Sequence, residues 1–185
     1  VDVDGATSTP ATFSNLTENS WFRAELSSGT CATVFSNAVA VVVKEVPIAG
    51  TISAAVSSLC SGSGTTLTLD GSTGVISWQK STSYSSTSPS WTTATGSTST
   101  LNVTGLTAST AYRAILTNSP CSNAITDYAV ITVSPKSVAG TVALSGSTSL
   151  SLCNGDSKTL KVTGSVGSMQ WQTATSANGT WSNID

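Results

Sequence analysis

Histidine is absent from this 185-residue sequence, and only 9% of its residues are charged. Without histidine the commonest general base and metal ligand is missing, so no Ser-His-Asp arrangement is available. Seven Lys and Arg stand against nine Asp and Glu, a net charge of −2. That balance lacks the basic patch a nucleic-acid partner requires. The acidic residues do not cluster: Asp70, Asp127 and Asp156 are scattered, and no calcium-loop pattern surrounds them. No carboxylate pair suited to glycoside chemistry stands out. The four cysteines lack zinc spacing. No apolar run reaches membrane-spanning length. No catalytic residue, metal or cofactor is therefore assigned, and neither nucleic acid nor membrane insertion is expected of this segment.

What the sequence does contain is Ser, Thr and Gly with Val, Leu and Ile patterned among them. That composition suits short strands and turns, and it is poor material for helices. It also repeats. Leu106–Cys121 matches Leu16–Cys31, with Arg113 and Cys121 each 90 residues after Arg23 and Cys31. Gly140 follows Gly50 by 90, Cys153 follows Cys60 by 93, Trp171 follows Trp78 by 93 and Trp181 follows Trp91 by 90. Both length changes fall in Ser/Gly-rich stretches, where loops absorb them. A period near 90 is too long for a solenoid and fits a whole β-sandwich domain.

The expected fold is all-β: tandem Ig-like or fibronectin-III-like sandwiches with a period of about 90 residues. Residues 1–47 read as the C-terminal half of one copy, 48–137 as a complete copy and 138–185 as the N-terminal half of a third, with Pro47 at the first boundary. In the complete copy, strands are expected at Thr51–Val56, Thr66–Leu69, Val75–Lys80, around Trp91, at Thr100–Val103, Ala111–Thr117 and Tyr128–Ser134. Leu67, Leu69, Ile76, Trp78, Tyr112, Ala114 and Leu116 point inward by period two. In the first copy a late strand is expected over Ala11–Asn15, then one burying Phe22, Ala24 and Leu26. In the third copy Leu160, Val162, Met169 and Trp171 take the equivalent inner positions. Half a sandwich exposes its inner face, so the flanks would need strands from further chain or, most simply, from other copies of the polypeptide; the two flanks could complete each other only by reaching past the central copy. The chain reads as a window onto a longer array.

Trp78, Trp171, Tyr112 and Phe22 are candidate core residues. Trp91, Trp181 and Arg113 are the contact set of a rival reading, in which exposed indoles stack on saccharide rings. The alternative for those tryptophans is packing across the sheet. Two cysteines per period suggest an oxidising compartment. Cys60 and Cys121 can be joined within the complete copy, leaving the partners of Cys31 and Cys153 outside the chain. Alternatively the cysteines link successive copies, since points before strand B and after strand F lie at opposite poles of a standard sandwich.

Cys60-Ser61-Gly62, Trp78-Gln79 with a following Ser/Thr loop, Trp91, Tyr112-Arg113-Ala114 and Cys121 together resemble the Ig-like repeats of very large Bacteroidetes cell-surface proteins. Those include SprB-type gliding-motility adhesins exported by type IX secretion. The resemblance implies an extracellular, surface-attached protein. Its partners would be neighbouring repeats, other copies of itself or surface polysaccharide. The stretch Gly105–Tyr112 also resembles the fibronectin-III E–F corner. The expected function is a non-enzymatic adhesive stalk or filament. A carbohydrate-binding module and an accessory domain of a secreted enzyme are the alternatives.

Overall fold

The computed structural model describes residue 7 and residues 9–146 and 151–184. Every element among them is a β-strand. The N-terminal segment holds four short strands: β1 (Ser20–Phe22), β2 (Glu25–Leu26), β3 (Val34–Phe35) and β4 (Val39–Val41). β1 pairs with β4 and β2 with β3, both antiparallel. The expected strand over Ala11–Asn15 does not form. Instead Phe13 stacks on Phe22, ring centroids 4.4 Å apart.

Nine strands build the central unit. They are β5 (Thr51–Ala54), β6 (Ser58–Cys60), β7 (Ser63–Asp70), β8 (Val75–Ser81), β9 (Thr92–Thr93), β10 (Thr100–Leu106), β11 (Thr110–Thr117), β12 (Ala124–Ile125) and β13 (Ala129–Ser134). One sheet has the order β10-β7-β5. The other has the order β6-β13-β11-β8-β9, with β12 also paired to β11. Alternating side chains of the two sheets meet in one core. Leu67, Leu69 and Leu101 come from the first sheet; Trp78, Tyr112, Ala114, Leu116 and Ile131 come from the second. A fully buried Leu or Ile contributes about 1.5–3 kcal/mol by leaving water. The unit is a β-sandwich.

The first strand of this sandwich changes sheets. β5 runs antiparallel to β7, then the chain crosses and β6 runs parallel to β13. Read from sequence alone, Ser57–Gly64 is a turn. β6 carries no strict apolar alternation because only Leu59 is partly covered. The polar backbone is what secures it: Thr132 N–H donates to Ser57 O at 2.8 Å, and Ser61 N–H donates to Ser134 O at 2.8 Å.

The C-terminal segment has β14 (Thr141–Leu144) paired with β15 (Leu160–Thr163), and β16 (Gln172–Thr173) paired with β17 (Ser182–Asn183). Between them Val142, Leu160, Val162, Met169, Trp171 and Ile184 line an open concavity of about 1050 Å³. Leu160, Val162, Met169 and Trp171 have the inward phase expected of them, but no opposing layer covers them among the described residues. Trp171 is only half-buried and Met169 is 59% exposed. The N-terminal segment behaves alike: Phe22 is half-buried, and Leu26 is 54% exposed rather than inside a core. Of the four expected core aromatics and their equivalents, only Trp78 and Tyr112 are enclosed.

Backbone contacts recur at the offsets seen in the sequence. Ser36 N–H donates to Ala24 O at 2.9 Å, and Thr126 N–H donates to Ala114 O at 3.0 Å. Ser20 pairs with Val41 as Thr110 pairs with Ile131. An isolated bridge joins Ile48 to Thr73 and another joins Val138 to Val166. Ala94 N–H donates to Trp78 O, and Ile184 N–H donates to Trp171 O.

Candidate functional site

The outer face of the larger sheet carries the most developed side-chain cluster. Adjacent antiparallel strands β8 and β11 set Gln79 opposite Arg113. Both side chains point away from the core because Trp78, Tyr112 and Ala114 occupy the inward phase. Arg113 donates through Nε to Gln79 Oε1 at 2.8 Å. That bond turns the guanidinium over Trp91, with Cζ 4.2 Å from the ring centroid. Trp91 lies 5.9 Å from Tyr128, and Tyr128 lies 6.2 Å from Tyr84, both pairs tilted. Trp91 and Tyr84 are half-buried and Tyr128 is half-exposed. A cation over an indole at such a site is worth about 0.5–1 kcal/mol.

The structure thus brings Trp91 and Arg113 together, as the saccharide reading requires, but it does so by laying Arg113 over the indole. Trp181 is elsewhere, in the C-terminal segment, with 52% of its surface exposed. The two tryptophans form no joint platform in the central sheet. Tyr84 and Tyr128 are cluster members that the sequence reading missed. Tyr84 lies in a Ser/Thr loop with no periodicity. Tyr128 carries a weak signal, since it stands at the head of β13, three residues before buried Ile131. In the N-terminal segment Arg23 covers a different ring, Phe35, at 3.8 Å. Trp78 is fully buried, and its Nε1 donates to Thr98 O at 2.9 Å. Burial raises the pKa of Tyr112 above its ordinary value by desolvating the phenolate. No group of His, Cys, Asp or Glu among the described residues has metal-binding geometry.

All four cysteines are free thiols. Cys60 pairs with Ser134, three residues beyond Ile131, which is level with Thr110 at the start of β11. Cys121 follows the opposite end of β11. At about 3.3 Å per residue the two are separated by roughly 30 Å of strand. A disulfide needs Cα atoms about 5.5 Å apart. The expectation of a Cys60–Cys121 bond inside the central unit is therefore corrected: strand register sends the two cysteines to opposite poles.

These features define an all-β protein in which, among the described residues, the closed unit is a two-sheet sandwich with a cation-covered aromatic patch. A family model described as a domain of unknown function (DUF8696) matches residues 1–45 and 48–135, and the chain belongs to that family. No curated protein matches it.

Proposed function

We propose that this chain is a load-bearing segment of a tandem array of Ig-like or fibronectin-III-like sandwiches with a period of about 90 residues. Such an array acts as a stiff, non-enzymatic stalk or filament on a bacterial surface. The observation that carries this reading is the parallel pairing of β6 with β13. The chain enters the central unit at the Ile48–Thr73 pole and leaves from the Ser134 pole. Tension between those ends loads the β6–β13 hydrogen bonds in shear, so they resist together rather than opening one by one. The recurrence of Ser36–Ala24 contacts as Thr126–Ala114 contacts supports the tandem arrangement. The junction before the central unit also has little slack. Pro47 is buried, and Asn118 Nδ2 donates to Glu45 O at 2.9 Å. The saccharide-binding alternative has less in its favour, because Arg113 already occupies one face of the Trp91 indole and Trp181 lies in another segment.

Single-molecule pulling on the ends of the full chain tests the proposal. One dominant unfolding event is expected, releasing roughly 250 Å of contour for 87 residues at about 3.3–3.6 Å each, less the folded length. Thr132→Pro removes the donor to Ser57 O and is expected to lower the unfolding force markedly. An unchanged force in that variant would remove the mechanical role from β6.

A further inference from the structure

Each sandwich pole carries one cysteine, and the junction between the N-terminal segment and the central unit indicates what each one meets. Cys121 Sγ lies 3.5 Å from Lys44 O. Lys44 is 90 residues before Ser134, and Ser134 is the β-partner of Cys60. In the central unit, Ser134 O accepts from Ser61 N–H, the residue after Cys60. Cys121 therefore points its sulfur at the carbonyl that, in a complete preceding sandwich, would lie beside that sandwich's own counterpart of Cys60. Asn118, held to Glu45 O at 2.9 Å, fixes the same loop against the same strand end. Cys31 occupies the matching turn: its N–H donates to Ser28 O at 3.0 Å, as Cys121 N–H donates to Asn118 O at 3.0 Å.

We propose that the cysteines staple successive sandwiches, each Cys60-type thiol bonding to the Cys121-type thiol of the sandwich that follows. The two classes are then Cys60 and Cys153, which donate forward, and Cys31 and Cys121, which donate backward. The inference rests on the tandem reading and adds its covalent connectivity. In forming the bond the two thiols lose two protons and two electrons. An oxidised dithiol carrier or glutathione disulfide accepts them and is reduced to its thiols. The consequence is that every interdomain junction is locked at the pole where tension passes from one unit to the next, while no staple crosses a sandwich.

The test extends the full chain after Asp185 with a second copy of residues 96–137, which supplies the C-terminal segment with counterparts of β10, β11 and β13 and a second copy of Cys121. The protein is oxidised with glutathione disulfide and mapped as non-reduced peptides. The expected result is a cross-link between Cys60 and the appended copy of Cys121, lost on reduction and lost in Cys60→Ser. A cross-link between the appended cysteine and Cys153, or free Cys60 beside a free appended cysteine in a protease-resistant third unit, overturns the connectivity and leaves the tandem reading standing. Failure of the appended strands to become protease-resistant counts against the tandem reading instead. The junction is then judged on the original chain, with a nitroxide on Cys121 and the other cysteines replaced by Ser. Amides of residues 43–46 should broaden strongly and those of residues 106–109 should not. Unbroadened 43–46 amides overturn the staple.

Discussion

Replacing Trp78 with Phe separates a closed sandwich from an open one. Trp78 is fully buried and its indole N–H is bonded to Thr98 O. Phe is roughly 40 Å³ smaller, and at about 24 cal/mol per Å³ the space left behind costs about 1 kcal/mol. Thr98 O loses its donor, but Thr98 is exposed and water reaches it, so that loss falls near the low end of about 1–3 kcal/mol. The total is about 2–3 kcal/mol. Trp171 occupies the equivalent phase in the C-terminal segment, with the same backbone bond to its carbonyl, yet it is half-buried over an open concavity. Trp171→Phe should cost less than about 1 kcal/mol, since neither a sealed cavity nor a buried hydrogen bond is lost. Urea unfolding followed by circular dichroism reads the contrast. With a slope of about 1–2 kcal/mol per M, Trp78→Phe moves the midpoint down by about 1–3 M, while Trp171→Phe moves it by less than about 1 M. Equal shifts for the two variants would refute the claim that only the central unit is closed.

Other contrasts follow the same logic. Thr126 Oγ1 accepts from the buried Ala114 N–H at 2.9 Å, so Thr126→Val should cost about 1–3 kcal/mol in thermal or urea melts. Ser36 makes the matching bond to Ala24 N–H at an exposed site, and Ser36→Val should cost less than about 0.5 kcal/mol. Gly50 has φ +73°, and a Cβ there would run into Asp70 O, so Gly50→Ala should destabilise by about 1–3 kcal/mol in the same melts. Burial raises the pKa of Tyr112 in the folded state. Above pH 10 the unfolded chain therefore releases that proton first, and stability falls as pH rises toward the folded pKa. Tyr112→Phe should flatten this alkaline loss in melts measured from pH 9 upward; an unchanged slope would assign it to other groups.

Most of the central sandwich is legible in the sequence because burial on one face imposes period two. Leu67 and Leu69, Trp78, and Tyr112, Ala114 and Leu116 declare their strands in this way. Elements held by backbone bonds are less visible. β6 contributes one partly covered side chain, so Ser58–Cys60 reads as part of a turn. β10 continues through Gly105 to Leu106 past a register shift after Val103, where alternation breaks down. The aromatic patch was half legible. Arg113 and Trp91 stood out by residue type, but Tyr84 and Tyr128 come together only through the pairing of β13 with β11 and the path of the 82–91 loop. Strand order was needed to judge the cysteines as well. Sequence spacing allows a bond within one copy, while the strand order of a standard sandwich already speaks against it; the registers of β6, β13 and β11 supply the separation of roughly 30 Å that excludes it.

Small-angle X-ray scattering from the full chain extended by residues 96–137 tests the stalk most directly. The longest strands of the central unit hold eight residues, about 26 Å, and the turns at its two poles bring the unit to roughly 35–40 Å, so three stacked units predict a rod roughly 100–120 Å long and only one sandwich wide. A compact particle of lower axial ratio, with the flanking segments folded back on the central sheets, would contradict the account.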